Sequence, residues 1–448
     1  MSVLERNFQG STAAVLRAKI EQHKALVGVV GIGYVGLPLA VEKAKVGFKV
    51  LGFDRNGIRV AQVAKGLNYI RDVVDEELAN AVAEGKLVTT TDFSRLAECD
   101  VIVICVPTPL TINKEPDISY IRAVGADIVK SMRPGQLICL ESTTYPGTTE
   151  EVLLPLFASS GLVVGDDFFL AFSPERVDPG NQRYTTRNTN KVVGGITPVC
   201  LDIAATFYQQ TILDVVKLSS PRVAEMTKVF ENTFRAVNIA LVNEMALLCD
   251  RMNINVWEVL DAAGTKPFGI MRFNPGPGVG GHCIPLDPFY LAWKAREYDF
   301  HTRFIELAGE INVQMPYFVR DKIGRALNEA GKPLKRSKIL LVGIAYKKDI
   351  EDWRESPALK IMELLEHDGA EVSYHDPFVP SFQDDSTGRL RHSVPLTPKA
   401  LAEADCAVII TDHTRTDWNF VVEHASVVVD TRNATAKVSK GREKVVLL

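Results

Sequence analysis

Leu26-Val27-Gly28-Val29-Val30 runs without a break into Gly31-Ile32-Gly33-Tyr34-Val35-Gly36, then into Leu37 to Val46, Phe48 to Phe53 and Asp54. The first run is short and apolar, as a buried strand is. Leu37 to Val46 is compatible with a helix, and Phe48 to Phe53 reads as a second strand. Strand, GxGxxG, helix, strand and acid in that order make a dinucleotide-binding unit. The glycines permit a tight turn and let the backbone approach a pyrophosphate. The helix N-terminus offers unpaired N–H groups to the anion. Asp54, 18 positions past Gly36, is placed to accept from the adenosine ribose hydroxyls. A carboxylate there repels a 2′-phosphate, which favours NAD over NADP; Arg55 beside it works against that preference. Gly31, Gly33, Tyr34, Val35, Gly36 and Asp54 are therefore the cofactor candidates.

Working outward, Asp100 to Val106 and Gln136 to Glu141 are further buried-strand runs, ending at Pro107-Thr108-Pro109 and Ser142-Thr143-Thr144. Strands alternating with helical stretches predict a doubly wound parallel sheet, with ligands beyond the carboxyl ends of its strands. Thr108, Thr143 and Glu175, in Phe172-Ser173-Pro174-Glu175-Arg176, lie at such ends. Each is a strand-end cap on the plain reading and a ligand contact on the other. A carboxylate such as Glu175 can also act as a base there.

From Ser220 the period changes to that of helices, and no Gly or Pro interrupts Arg222 to Ala263. Lys228 and Asn232 share a helix face. They are either solvated side chains or a pair of donors for a developing oxyanion. Helices are expected again from Phe289 to about Glu329. A long helical segment between two α/β regions is a natural dimer surface. Gly331 to Lys335 reads as a linker. A second α/β pattern follows, with strands at Ile339–Val342, Val372–Tyr374, Ala407–Ile410 and Val427–Val429. It lacks a full GxGxxG. Lys347, Lys348, Arg354 and Arg432 fall at its strand ends or in loops, as phosphate contacts or surface charges. The expected division is an extension at 1–24, an NAD-binding Rossmann domain at 25–219, a central helical domain at 220–332 and a Rossmann-like domain at 333–448. The fold class is α/β, with two Rossmann-like doubly wound domains joined by a helical dimerisation core.

Between the helical stretches stands Asn274-Pro275-Gly276-Pro277-Gly278-Val279-Gly280-Gly281-His282-Cys283-Ile284-Pro285-Leu286-Asp287-Pro288. A glycine-rich run can cradle a phosphate, and a thiol beside it can act as a nucleophile once its pKa is lowered. The plain alternative is a Gly/Pro loop with a buried cysteine.

Composition bounds the rest. The chain has 448 residues, 46% of them apolar, a formal charge of -4 and seven cysteines. Two or three domains are expected, and nucleic acid is not a partner that this charge favours. The cysteines are scattered and form no CxxC, against a disulfide framework or a zinc site and for a reducing, cytoplasmic setting with no metal. No apolar run approaches the ~20 residues of a membrane span. Residues 1–24 lack a signal peptide's apolar core; Val15, Leu16 and Ile20 read as a short amphipathic helix.

Taken together, these motifs resemble the UDP-glucose/GDP-mannose dehydrogenase family, the NAD-dependent nucleotide-sugar 6-dehydrogenases, over nearly the whole chain from Val27. Val29 to Pro38 is similar to the family's opening signature and Gly280 to Pro288 to its catalytic-cysteine signature. Glu141 to Glu150 and the His282-Cys283 pair look most like the bacterial enzymes acting on UDP-N-acetylglucosamine in surface-polysaccharide synthesis. The resemblance implies roles. Cys283 would be the nucleophile, and Lys228 and Asn232 would flank the C6 oxygen. Asp287 would hold the hydrolytic water, Glu175 would support thioester hydrolysis, and Thr143 would lie near cofactor and water. Arg59 would lie by the cofactor, Lys347 and Arg354 would reach substrate and cofactor from the last domain, and Arg432 would contact substrate across subunits. Gly278, Gly280 and Gly281 would line the substrate. Arg272 departs from the pattern. The implied reaction is a four-electron oxidation of a UDP-sugar with two NAD, in a homodimer or higher homo-oligomer. Two other readings compete. A single-hydride hydroxy-acid dehydrogenase would tolerate loss of Cys283, and a nucleotide-sugar sensor would bind without forming NADH.

Overall fold

Val27, Val29 and Val30 are all buried, so β1 (Leu26–Val30) loses apolar surface to packing on both faces. Full burial of each such side chain stabilises by about 1.5–3 kcal/mol. Continuous rather than alternating apolar runs mark strands covered by helices on both sides. β2 (Lys49–Phe53), β3 (Leu87–Thr90), β4 (Val101–Ile104), β5 (Gln136–Leu140), β6 (Phe168–Phe172), β7 (Lys191–Gly195) and β8 (Val215–Leu218) complete a sheet of order β3-β2-β1-β4-β5-β6-β7-β8. This computed structural model describes residues 11–70, 73–111, 113–177, 183–281, 283–385 and 387–448. The chain divides into two units, Met1–Glu231 with Trp293–Phe300 and Asn232–Ala292 with His301–Leu448.

The first unit holds the eight-stranded sheet. β1 to β6 run parallel, but β7 pairs antiparallel to β6 and β8 then parallels β7. The doubly wound sheet is thus parallel from β1 to β6, with one antiparallel pairing at this end. Thr12–Glu21 forms a helix whose N-cap Ser11 accepts from the Ala14 N–H. Leu16 and Ile20 enter the sheet's main core, whereas Val15 points to solvent. His23 hydrogen-bonds Gln210 at 3.0 Å, so the described part of the N-terminal extension is built into this unit. Residues 1–10 lie outside the described residues.

Pro221–Met252 is a 32-residue helix that starts in the first unit and ends in the second. The helical segment does not run unbroken to Ala263. Asn253 takes a left-handed φ of 57°, and Asn255 caps a new helix, Val256–Ala263, by accepting from the Trp257 N–H. The segment after the cysteine loop is likewise two helices, Asp287–Ala295 and Arg303–Glu329, divided around the left-handed Asp299.

In the second unit β9 (Lys338–Val342), β10 (Glu371–His375), the hairpin β11 (Ser381–Asp384) and β12 (Arg389–His392), then β13 (Cys406–Ile409), β14 (Val428–Asp430) and β15 (Val445–Leu447) follow in chain order. Five of them form a parallel sheet of order β10-β9-β13-β14-β15. The hairpin and β15 were not among the expected strands.

Gly31 and Gly36 of the first turn are required sterically. A Cβ on Gly36 would fall 1.9 Å from the Gly31 carbonyl oxygen. Gly36→Ala is therefore expected to destabilise the protein by roughly 1–3 kcal/mol in denaturant unfolding and to weaken NAD binding at least about tenfold. Gly324→Ala, in open space inside a helix, is the control and should stabilise by about 0.5–1 kcal/mol.

Candidate active site

In the first unit the strand order reverses between β1 and β4, which opens a crevice at their carboxyl ends. Gly31 has φ +90°, and a Cβ there would lie 2.6 Å from the Cys105 carbonyl oxygen. Gly33 has nothing within 4 Å of its Cβ position, so the loop presents bare backbone to open space. Tyr34 and Val35 complete the turn, and the helix Gly36–Lys45 starts there with its N–H groups toward the loop. This is a cradle that side chains would fill, and it fits the pyrophosphate of NAD. Asp54 follows β2. Its Oδ1 accepts from the Asn56 N–H at 2.8 Å, and Arg59 lies 3.7 Å from its Oδ2. Asp54 and Arg59 are thus brought together at the crevice. Thr108 donates to the Thr143 carbonyl at 2.6 Å and Ser142 to the Val106 carbonyl at 2.7 Å. These ties hold the ends of β4 and β5 together, which is the strand-end role for Thr108.

A charged cluster closes the ends of β5 to β7. The Glu175 Oε1 accepts from the Arg176 and Val177 N–H groups at 2.8 Å each, and its Oε2 lies 3.4 Å from Lys191 Nζ. Burial pushes the Glu175 pKa up, but the Lys191 charge and the two N–H donors outweigh it, and the net shift is downward. Glu175 is therefore a carboxylate at neutral pH. Lys191 also pairs with buried Glu141 at 3.3 Å, and Tyr208 donates to Glu141 at 2.6 Å. Lys228 Nζ donates to the main-chain carbonyl of Glu175 at 2.6 Å. Lys191 was missed from sequence; it heads an ordinary strand and carries no motif. Three positions before Lys228, buried Glu225 accepts from the Gly147 N–H at 2.5 Å and from the Thr149 N–H and hydroxyl at 2.9 and 2.7 Å. Burial raises its pKa to about 7.

The second unit contains the cysteine loop. Asn232 donates to the Asp287 carboxylate, and Arg235 donates to the Asn232 side-chain oxygen. The Cys283 carbonyl accepts from the Leu286 and Asp287 N–H groups at 3.1 and 2.8 Å. This turn leads into the helix Asp287–Ala295 and leaves Cys283 exposed. The alternative of a buried cysteine is thereby set aside. His282 lies outside the described residues. The glycine run is clamped from several sides. The Gly276 N–H donates to Asn243 at 3.0 Å; Asn243 donates to Asn312 at 2.9 Å, and Asn312 to the Ala236 carbonyl at 3.2 Å. A Cβ on Gly276 would lie 2.6 Å from Arg432, and one on Gly280 2.7 Å from Tyr346. Gly278 and Gly281 have φ +137° and +89°, with Pro357 and Tyr346 as neighbours. Arg432 also donates to the Ile410 carbonyl at 3.0 Å, and burial lowers its pKa. Within one chain it braces the loop.

Lys347 stands in the loop that follows β9, at the carboxyl edge of the second sheet. Arg354, farther along, is held by Asp352 at 2.7 Å. Arg272 pairs with Asp261 at 2.5 Å on the surface. Asn243, Asn312, Asp376 and His413 were not recognised from sequence. A signal for Asp376 was present, since Tyr374-His375-Asp376 ends a strand as Phe53-Asp54 does.

A dinucleotide crevice in one unit, and a cysteine loop packed against a second nucleotide-type sheet in the other, define an NAD-dependent dehydrogenase of nucleotide-linked substrates. The chain belongs to the UDP-glucose/GDP-mannose dehydrogenase family, a family of NAD-dependent UDP-sugar dehydrogenases. It matches that family's NAD binding domain over residues 25–212, its central domain over 222–314 and its UDP binding domain over 340–437. It is 35% identical over 414 residues to the UDP-N-acetyl-D-mannosamine dehydrogenase of Pyrococcus horikoshii, covering 91% of this chain and 95% of that protein. It is 38% identical over 355 residues to the UDP-N-acetyl-D-glucosamine 6-dehydrogenase of Pseudomonas aeruginosa, covering 79% and 83%. The solved structure of the Pyrococcus horikoshii UDP-D-ManNAc dehydrogenase matches with a TM-score of 0.85 at 33% identity, over 94% of this chain and 98% of that one.

Glu225 gives a pH signature. Its folded pKa, about 7, lies above the value of ~4.3 for an unfolded chain. Its contribution to stability is therefore full below the unfolded value and is lost as pH rises toward 7. The unfolding free energy should fall across that window by about 4 kcal/mol, at ~1.4 kcal/mol per unit. Denaturant titrations of wild type and Glu225→Gln at several pH values check this; the fall should be absent from the variant.

Proposed function

We propose that the protein oxidises the C6 hydroxyl of UDP-N-acetylglucosamine to the carboxylate, for surface-polysaccharide synthesis. The observation that carries this reading is the exposed Cys283, in a turn closed by the Asp287 N–H, with Asp287 bonded to Asn232 and the loop's glycines packed against Tyr346 and Arg432. Those two residues lie in the segment matched to the family's UDP binding domain.

Gly31, Gly33, Tyr34, Val35, Gly36, Asp54, Arg59, Thr108, Thr143 and Arg354 would hold NAD, and two NAD bound in turn would supply the hydride acceptor for the two oxidations at C6. Lys228 and Asn232 stabilise the alkoxide-like states, a contribution of ~10²–10³ in rate for one such donor. The Cys283 sulfur adds to the C6 aldehyde to give a thiohemiacetal. Loss of hydride from that carbon leaves a thioester. Water then cleaves the carbon–sulfur bond, releasing the acid and the thiol. Asp287 helps to hold that water, with Thr143 near it, and the Asp287 or Glu175 carboxylate takes its proton. Lys347, Arg432 and the backbone at Gly278, Gly280 and Gly281 bind the nucleotide sugar. The domains divide at 25–219, 220–332 and 333–448, and the cytoplasm is the compartment.

A second reading, UDP-N-acetylmannosamine as substrate, is favoured by the Pyrococcus horikoshii relative, which bears that name and aligns over more of the chain. The test is NADH formed per sugar with UDP-N-acetylglucosamine, UDP-N-acetylmannosamine or UDP-glucose limiting. Two NADH per sugar, with the highest kcat/KM for UDP-N-acetylglucosamine, is the expected outcome. The highest kcat/KM for either other sugar moves the substrate. Cys283→Ala should form no acid. Asp287→Asn or Glu175→Gln should accumulate acyl-enzyme, seen as added mass on Cys283; a single NADH per sugar in wild type would remove the thioester scheme.

We also propose a homodimer. Met226, Phe230, Leu241, Met245, Leu248 and Met252 are exposed at helical spacing along Pro221–Met252. Such an apolar stripe calls for a partner, and a second copy of the same helix supplies one. Sedimentation of the 49.4 kDa chain should give twice that mass, and Phe230→Asp with Leu241→Asp should give the monomer. A wild-type monomer would remove the proposal.

A further inference from the structure

In the second sheet β10 holds the place that β2 holds in the first, beside the leading strand and opposite the switch point. Each is followed by an aspartate, Asp54 and Asp376. Asp54 borders the crevice, but Asp376 is buried and its carboxylate is fully engaged. Its Oδ2 accepts from the Ile344 and Ala345 N–H groups at 2.7 and 3.0 Å. Its Oδ1 accepts from those of Phe378 and Val379 at 2.8 and 3.1 Å. His413 Nε2 lies 3.0 Å from Oδ2. An acid used in this way has no capacity left for a ribose.

His413 follows β13, directly across the switch point from β9. It is fully buried, and its Nδ1 accepts from the Asp349 N–H at 2.9 Å. Nε2 therefore carries the proton and donates to Asp376. Asp349 takes a left-handed φ of 62°, and its Oδ1 accepts from the Thr414 N–H at 2.9 Å. Thr411 donates to the Ala345 carbonyl at 2.6 Å, and the Phe378 ring packs on the imidazole at 5.1 Å. The segment after β9 is thus held at Ile344 and Ala345 by Asp376 and Thr411, and at Asp349 by His413 and Thr414. Tyr346, Lys347 and Lys348 bridge the two holds at the mouth of the crevice.

We infer that His413, oriented by Asp376, is the positioning residue that fixes the Tyr346–Asp349 segment in the conformation that binds the diphosphate of the nucleotide sugar. The inference rests on the reading that Lys347 meets substrate, and it adds the groups that hold Lys347's backbone in place. Preorganised backbone spares the ligand the cost of ordering it.

Calorimetric titration of the full chain with UDP alone tests it. His413→Gln places an amide near Nε2, which keeps the bond to Asp376 and loses the acceptor for the Asp349 N–H. His413→Asn places one near Nδ1, which keeps that acceptor. His413→Gln should weaken UDP binding about tenfold, the worth of one hydrogen bond, while His413→Asn stays near wild type. KM for the UDP-sugar should follow UDP affinity, with kcat and NAD affinity unchanged; a merely structural role would lower the melting temperature and disturb NAD binding as well. UDP affinity at the wild-type level in His413→Gln would overturn the inference. Lys347→Ala separates the two claims, because wild-type UDP binding there would remove the underlying reading instead. If His413→Gln does not fold, hydrogen exchange of wild type decides. The Asp349 amide should exchange at least about a hundredfold slower than in an unfolded chain, and slower still with UDP; an unprotected amide overturns the inference.

Discussion

At the end of β1 the chain passes so close to β4 that a Cβ on Gly31 would lie 2.6 Å from the Cys105 carbonyl oxygen, and the same meeting recurs in the second sheet, where a Cβ on Gly343 would lie 2.6 Å from Thr411. Both glycines have φ near +90°, a conformation that turns the chain out of the sheet and that side chains resist. The turn has to occur where the strand order reverses, because only there do two connections leave in opposite directions and open a crevice. Everything functional in either sheet is placed relative to that turn. In the first sheet it aims the helix Gly36–Lys45 at the crevice and sets Asp54 beside it. In the second it lifts the Ile344–Asp349 segment over the crevice mouth.

The cysteine loop uses glycine for a different reason. Gly276 and Gly280 are glycine because Arg432 and Tyr346 stand where their side chains would be, and a loop packed this closely is held rather than mobile. Asn243 secures the same loop through the Gly276 N–H and is secured in turn by Asn312. Buried polar groups are tolerated when each finds a partner, and such chains fix one geometry. The result is a glycine run, leading to Cys283, that is fixed in one geometry.

The readable parts of the chain were those whose physics is local. Strand, glycine turn, helix and acid lie within thirty residues, and each piece announces itself by period or by backbone demand. The break at Asn253 to Asn255 was not visible, because an asparagine in the left-handed region and an asparagine N-cap do the work that Gly or Pro more often does. The reversal of β7 is set by pairing, not by its own residues. Lys191, Glu141, Asn243 and His413 acquire meaning only from partners far away in sequence. Lys191 meets Glu141 fifty residues off, and His413 meets Asp349 sixty-four residues off. Arg432 was singled out for its charge, but within the chain its guanidinium braces a loop.

The two lysines that grip the end of β6 divide Glu175 into two functions. Lys191 lies against its carboxylate and keeps it ionised. Lys228 donates to its main-chain carbonyl, which binds the helix Pro221–Met252 to the strand end. An ammonium has three N–H donors, and that carbonyl takes one of them, so the anchor and an oxyanion contact are compatible in one side chain. The carboxylate's charge and the carbonyl's anchoring are physically separable. A side-chain change at 175 alters the first and spares the second, whereas a change at 228 removes the anchor together with any donor to the reacting oxygen. Under the proposed mechanism, loss of activity on altering Lys228 would therefore measure two effects at once, and the comparison with Glu175 would separate chemistry from support.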